Sequence, residues 1–233
     1  MSEQVQTFGQ AADLGRAQAL AQRNKVLRNT YWLLAMSLIP TVLGAWLGVA
    51  TGLSRAMTPG ISLIVFLAGA FGFMFAIEKT KNSAAGVPVL LAFTLFMGLM
   101  LSRLVGTVLG LGNGASLVMM AFAGTGAIFL GMASLSSVIK RDLSAMGKWL
   151  FIGVVMLLVA GIANFFIQSS ALMITLSVLA IGIFSAFILY DLKRVQDGLE
   201  TNYVSATLGV YLSLYNVFQS LLMLFGIMGG REE

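Results

Sequence analysis

The chain contains neither cysteine nor histidine. Thiol nucleophiles, disulfides, His-based triads and His or Cys metal sites are excluded together. Any proton chemistry falls to Asp, Glu, Lys, Arg or Tyr. No motif among those residues points to catalysis, so neither an enzymatic activity nor a cofactor is expected. Charge is scarce as well: Asp, Glu, Lys and Arg make up 10% of the 233 residues, against about 25% in an ordinary soluble domain. Apolar residues take their place at 58%. That excess is too large for one globular core, and a bilayer is the solvent that accommodates it.

The net charge of +5 does not read as a nucleic-acid surface. The basic residues are not clustered with aromatics. They lie between apolar runs, as the positive-inside rule requires.

A helix needs roughly 20 apolar residues to cross the hydrocarbon core. Six strong runs occupy residues 31–50, 61–77, 87–109, 115–139, 149–167 and 171–190, and a seventh, more polar, occupies 203–228. Their connections are short and carry turn residues, such as Thr58-Pro59-Gly60 and Gly110-Leu111-Gly112-Asn113-Gly114. There is no internal repeat and no linker. The expected fold is an all-α integral membrane protein, a bundle of seven transmembrane helices over residues 29–233. Residues 1–28 are polar and mixed in charge, without the pattern of a cleaved signal peptide. They read as a cytoplasmic tail, helical around residues 11–28.

Orientation follows from the cations. Arg16, Arg23, Lys25, Arg28, Lys79, Lys81, Lys140, Arg141, Lys148, Lys193 and Arg194 fall on one side, eleven in all. Arg55 and Arg231 fall on the other, and Arg103 lies inside the third run. This bias places the N-terminus in the cytoplasm and the C-terminus outside. Arg103 reads as a residue that snorkels to the headgroups.

The seventh run is the most informative. Gly209, Ser213, Asn216 and Ser220 share one helical face. A polar stripe facing lipid would leave its groups without partners. The helix therefore belongs inside the bundle, where the stripe serves either helix–helix packing or an ion path. Asp191 closes the sixth run directly after Phe187-Ile188-Leu189-Tyr190. Its two readings are an exposed helix-end acid and a functional intramembrane carboxylate. Asn164, in the fifth run, is a candidate for a polar contact between helices. Gly44/Gly48 and Gly106/Gly110 are small pairs that permit close helix approach.

The final third carries a more specific pattern. It runs through Gly161-Ile162-Ala163-Asn164-Phe165-Phe166 and Phe184-Ser185-Ala186-Phe187-Ile188-Leu189-Tyr190-Asp191, and ends in Tyr211-Leu212-Ser213-Leu214-Tyr215-Asn216-Val217-Phe218. A Tyr-Asp pair ending one helix, followed by a Tyr-Leu-x-x-x-Asn-x-Phe helix, resembles the Bax inhibitor-1 (TMBIM) family. Glu200-Thr201-Asn202-Tyr203 and the serine-bearing last helix are similar to its bacterial YccA-like branch. The resemblance implies seven helices with the C-terminal one enclosed. It also implies two functions: modulation of the inner-membrane FtsH protease, and a pH-sensitive calcium leak through a pair of aspartates. The first aspartate corresponds to Asp191. The second corresponds to Ser213, so the chain lacks the pair, and Ser213 is expected to donate a hydrogen bond to Asp191 instead.

Overall fold

In hydrocarbon a backbone N–H or C=O must find its partner within the protein, so an apolar run closes on itself as a helix. The computed structural model describes residues 2–52 and 56–230, apart from the side chains of 2–13 and 16. Among them are seven long helices: α1 (Ser2–Thr51), α2 (Pro59–Thr80), α3 (Gly86–Leu109), α4 (Gly114–Val138), α5 (Met146–Ile167), α6 (Ser170–Gln196) and α7 (Tyr203–Gly229). Each is long and apolar enough to cross a membrane. Arg55 and Arg231, the cations read onto the far side, lie outside the described residues.

Local chemistry sets the helix starts. Thr58 accepts a hydrogen bond from the Ile61 amide at 3.4 Å, and Pro59 opens α2 where no N–H is needed. Ser169 caps α6 through the Leu172 amide. Asn202 caps α7 twice, accepting from the Val204 amide at 2.9 Å and the Ser205 amide at 3.1 Å. The α6–α7 turn passes through Gly198 at φ +76°, a conformation that side chains disfavour.

α7 is the enclosed helix. It packs against α1, α2, α3, α4 and α6, and its buried side chains lie all round it, from Val204 through Tyr211 and Leu214 to Leu222. The seventh run is a single unbroken helix long enough for a full crossing: 27 residues reach about 40 Å. α5 leans on α6 and presents Trp149, Phe151 and Phe166 outward. α1 shows no break at residue 28, where the polar tail was expected to end. It continues as one 50-residue helix, and Val26 is already buried against Val195 of α6 and Ala206 of α7.

The tightest seam joins α1 to α3. A Cβ at Gly44 would meet the backbone of Leu95, Gly98 and Leu99, and one at Gly48 would meet the Ser102 side chain. From the other side, a Cβ at Gly98 would strike the Thr41 carbonyl. Gly44/Gly48 thus works as a small pair against Gly98/Ser102, and backbone meets backbone. Of the second pair, Gly110 instead ends α3 as its C-cap residue.

This seam gives a paired prediction. Gly98→Ala forces a methyl into backbone that cannot yield, and should lower stability by about 1–3 kcal/mol. Gly126→Ala, with open space around it, should be neutral or slightly stabilising. Thermal unfolding of the purified variants checks both; equal loss in the two would mean the seam is not tight.

Candidate functional site

The Lys/Arg-bearing connections gather at one end of the bundle. Asn202, in the α6–α7 turn, donates from Nδ2 to the Lys81 carbonyl at 3.1 Å and to Asn82 Oδ1 at 2.8 Å. This ties that turn to the α2–α3 turn. Gln196 donates to the buried Ser136 hydroxyl at 2.9 Å and links α6 to α4. The Arg23 guanidinium of α1 lies against Gly198, where any Cβ would crowd it. In the α4–α5 loop, Asp142 accepts from the Ser144 amide at 2.8 Å and from its hydroxyl at 2.5 Å. Those two bonds hold the Asp142 carboxyl below the usual range.

Asp191 sits just inside this end. α6 runs past Tyr190 to Gln196, so Asp191 is more than a turn inside the helix and half-buried. It faces α7 at Gly209: a Cβ there would lie 2.8 Å from Asp191 Oδ2 and 3.2 Å from its Cγ. The missing side chain at Gly209 is what lets the carboxylate rest on the central helix. Arg194 and Glu200 are the charged groups close enough to act on it. Arg194 turns to the Tyr190 ring, 5.6 Å from its centroid, and Lys193 pairs with Asp197 at 2.6 Å. Among the described residues, Asp191 has no ion pair within 4 Å.

The hydrogen bond expected from Ser213 is not formed. Gly209 is the residue of α7 level with Asp191, and four residues further on amounts to about 6 Å along the axis. Ser213 is buried there. Asn216 donates to the Leu212 carbonyl of its own helix at 2.8 Å, and Ser220 is half-buried one turn beyond. The stripe is a shared face, but no hydrogen bond joins its members to Asp191 or to each other. Asn164 is buried in the α5–α6 corner: Oδ1 accepts from the Ser169 amide at 3.1 Å, and Nδ2 reaches Met173 Sδ on α6 at 4.0 Å. Glu78 is exposed and pairs with Lys81 at 2.6 Å. As a cation ligand, Asp191 would supply only part of the six to eight oxygens that calcium takes.

Several contacts on α7 lie outside the glycine–serine stripe. The Thr41 hydroxyl gives its one hydrogen to the Ser37 carbonyl at 2.8 Å. It is therefore the acceptor in the 2.9 Å bond with Tyr211 O–H. Tyr211 also meets Phe93 of α3 edge-on at 6.1 Å. One turn on, Tyr215 donates to the Met97 carbonyl at 3.3 Å. The Thr207 hydroxyl, which donates to Tyr203, lies 3.4 Å from the Thr30 carbonyl of α1. The i,i+4 spacing of Tyr211 and Tyr215 was a readable signal of one anchoring face; their partners were not readable.

The Asp191–Gly209 contact yields a second prediction. Gly209→Ala should cost on the order of 1 kcal/mol, because the carboxylate can rotate aside but loses its seat. In an Asp191→Ala background the same change should cost at least about 0.5 kcal/mol less. A double-mutant cycle on unfolding midpoints measures that coupling, and additive effects would mean the two residues do not touch.

The model of the family described as "Inhibitor of apoptosis-promoting Bax1" matches residues 23–230. An "Uncharacterized membrane protein" of Vibrio cholerae is 36% identical over 91% of this chain and 93% of its own. "Modulator of FtsH protease YccA" of Escherichia coli K12 is 37% identical over 89% of this chain and 92% of its own. A counterpart in another Escherichia coli strain, at the same identity and coverage, carries the name "Inner membrane protein YccA".

Proposed function

The chain belongs to the Bax inhibitor-1 family, and from that membership we propose that it is a multi-pass bacterial inner-membrane protein that acts as a substrate and modulator of the FtsH protease. The observation that carries this reading is the 37% identity, over nearly the whole of both chains, to a relative named as a modulator of that protease. The orientation in this reading is N-terminus in the cytoplasm, from the eleven cations on one side. The N-terminal part of α1 supports it further. Among its described side chains, Leu14 and residues 17–25 are exposed, a stretch that a protease at the membrane surface can grip. The buried anchor begins only at Val26.

Removing residues 2–20 tests this. With FtsH and ATP in proteoliposomes, the full chain should be degraded and the truncated chain should persist, while circular dichroism shows the bundle still helical. Turnover of the truncated chain at the full-length rate would sink the tail as the point of engagement.

One observation favours a second reading, a calcium or other cation leak. The half-buried Asp191 rests on the central helix without an ion pair, and intramembrane carboxylates mark ion paths by default. Calcium efflux from proteoliposomes, at acidic and alkaline pH, separates the two readings. Under the protease reading the wild type is silent at both pH values. A wild-type leak altered by Asp191→Asn would replace the protease reading with the channel.

A further inference from the structure

The outer wall of α1 carries an open surface groove of about 490 Å³, apart from the Asp191 region. Asn24, Leu27, Arg28, Tyr31, Trp32 and Ala35 line it. Their spacing of three and four puts all six on one helix face. The groove is graded along its length. Asn24 and Arg28 form its polar end with Leu27 between them, and Tyr31 and Ala35 continue it along the apolar part of the helix. Trp32 stands at the rim, 67% exposed. The Tyr31 ring is fixed from the other side by Phe129 of α4, edge-on at 6.1 Å. Arg28 is exposed and, among the described residues, forms no ion pair within 4 Å.

Past Arg28 the groove enters the apolar run of α1, and that inner part is not filled by water. The groove's occupant must be apolar over that part and must satisfy a guanidinium at one end. Arginine is suited to phosphate oxygens, which its fork binds two at a time, and tryptophan and tyrosine mark the headgroup level. Arg23 and Lys25, exposed on the same stretch of α1, add positive potential around the mouth. A second helix packed in the groove would cover the apolar part but would leave Arg28 without a counter-charge.

We propose that this groove binds a phospholipid with an anionic headgroup, its phosphate at Arg28 and Asn24 and one acyl chain running inward past Tyr31 and Ala35. The site lies on the helix that the protease reading uses but does not depend on that reading. A lipid held here would fix α1 at the depth where its exposed stretch gives way to the buried anchor at Val26.

The three tryptophans of the chain supply a reporter, because Trp46→Phe with Trp149→Phe leaves Trp32 alone at the groove. This variant is reconstituted in phosphatidylcholine vesicles containing either brominated phosphatidylglycerol or brominated phosphatidylcholine at equal mole fraction. Trp32 quenching should indicate a preference of about fivefold for the anionic lipid, the value of roughly one cation near the surface. Arg28→Gln should bring the preference close to one, and Arg28→Lys should keep part of it; circular dichroism confirms that both remain folded. Equal quenching by the two lipids in the parent would overturn the site and would fit a second copy or a partner helix in the groove. A preference that survives Arg28→Gln would also overturn it. So would one that inorganic phosphate abolishes where chloride of equal ionic strength does not, since the groove would then be a site for free anions.

Discussion

The bundle depends on a knot of polar and aromatic groups where α1, α3 and α7 meet. Tyr211 donates to Thr41 of α1 and turns its ring edge to Phe93 of α3. At the same level Gly98 lets α3 close onto the Thr41 carbonyl. Hydrocarbon gives no hydrophobic drive for helices to associate, so close packing and satisfied polar groups must hold them. The knot supplies both within one turn of each helix. It forms next to Pro40, the one proline inside α1, where the missing N–H loosens the helix's own ladder.

From that knot the rest of the molecule takes its place. α7 is fixed at the centre, with Tyr215 bonded to the Met97 carbonyl below Tyr211 in the sequence of turns. α2 joins α3 through an aromatic seam of Phe73 against Phe93 and Phe96, at 5.8 and 5.6 Å. α6 lies along α7, and α5 is added outside α6. The polar end is then closed by short ties among turns, with Asn202, Gln196 and Arg23 as the connecting residues.

The candidate site lies at the boundary between the knot and the ties. Asp191 occupies the last polar level before the apolar interior, seated on Gly209. On α7 the residue that faces Asp191 is Gly209, and the acid close enough to act on it is Glu200 of the α6–α7 turn. α1 crosses the same level with Val26 packed on Val195 and Ala206. The exposed stretch of α1 is thus continuous with a helix packed directly against the two helices carrying Asp191 and Gly209.

The sequence by itself determined the solvent, the seven crossings and the enclosure of α7. Those follow from the length of apolar runs and from a polar stripe that lipid cannot accept, both of which are local properties of a helix. It also pointed to Asp191 and Gly209 separately, and to Gly44/Gly48 as a packing pair. Only the tertiary structure decided which of these meet. Register between helices depends on side-chain volumes across a seam, and no periodicity within one segment carries that information. So the serine expected opposite Asp191 sits one turn away and a glycine takes its place. Tyr211 finds Thr41, 170 residues distant in the chain, and α1 runs through residue 28 without a break because its buried contacts begin before its apolar run does.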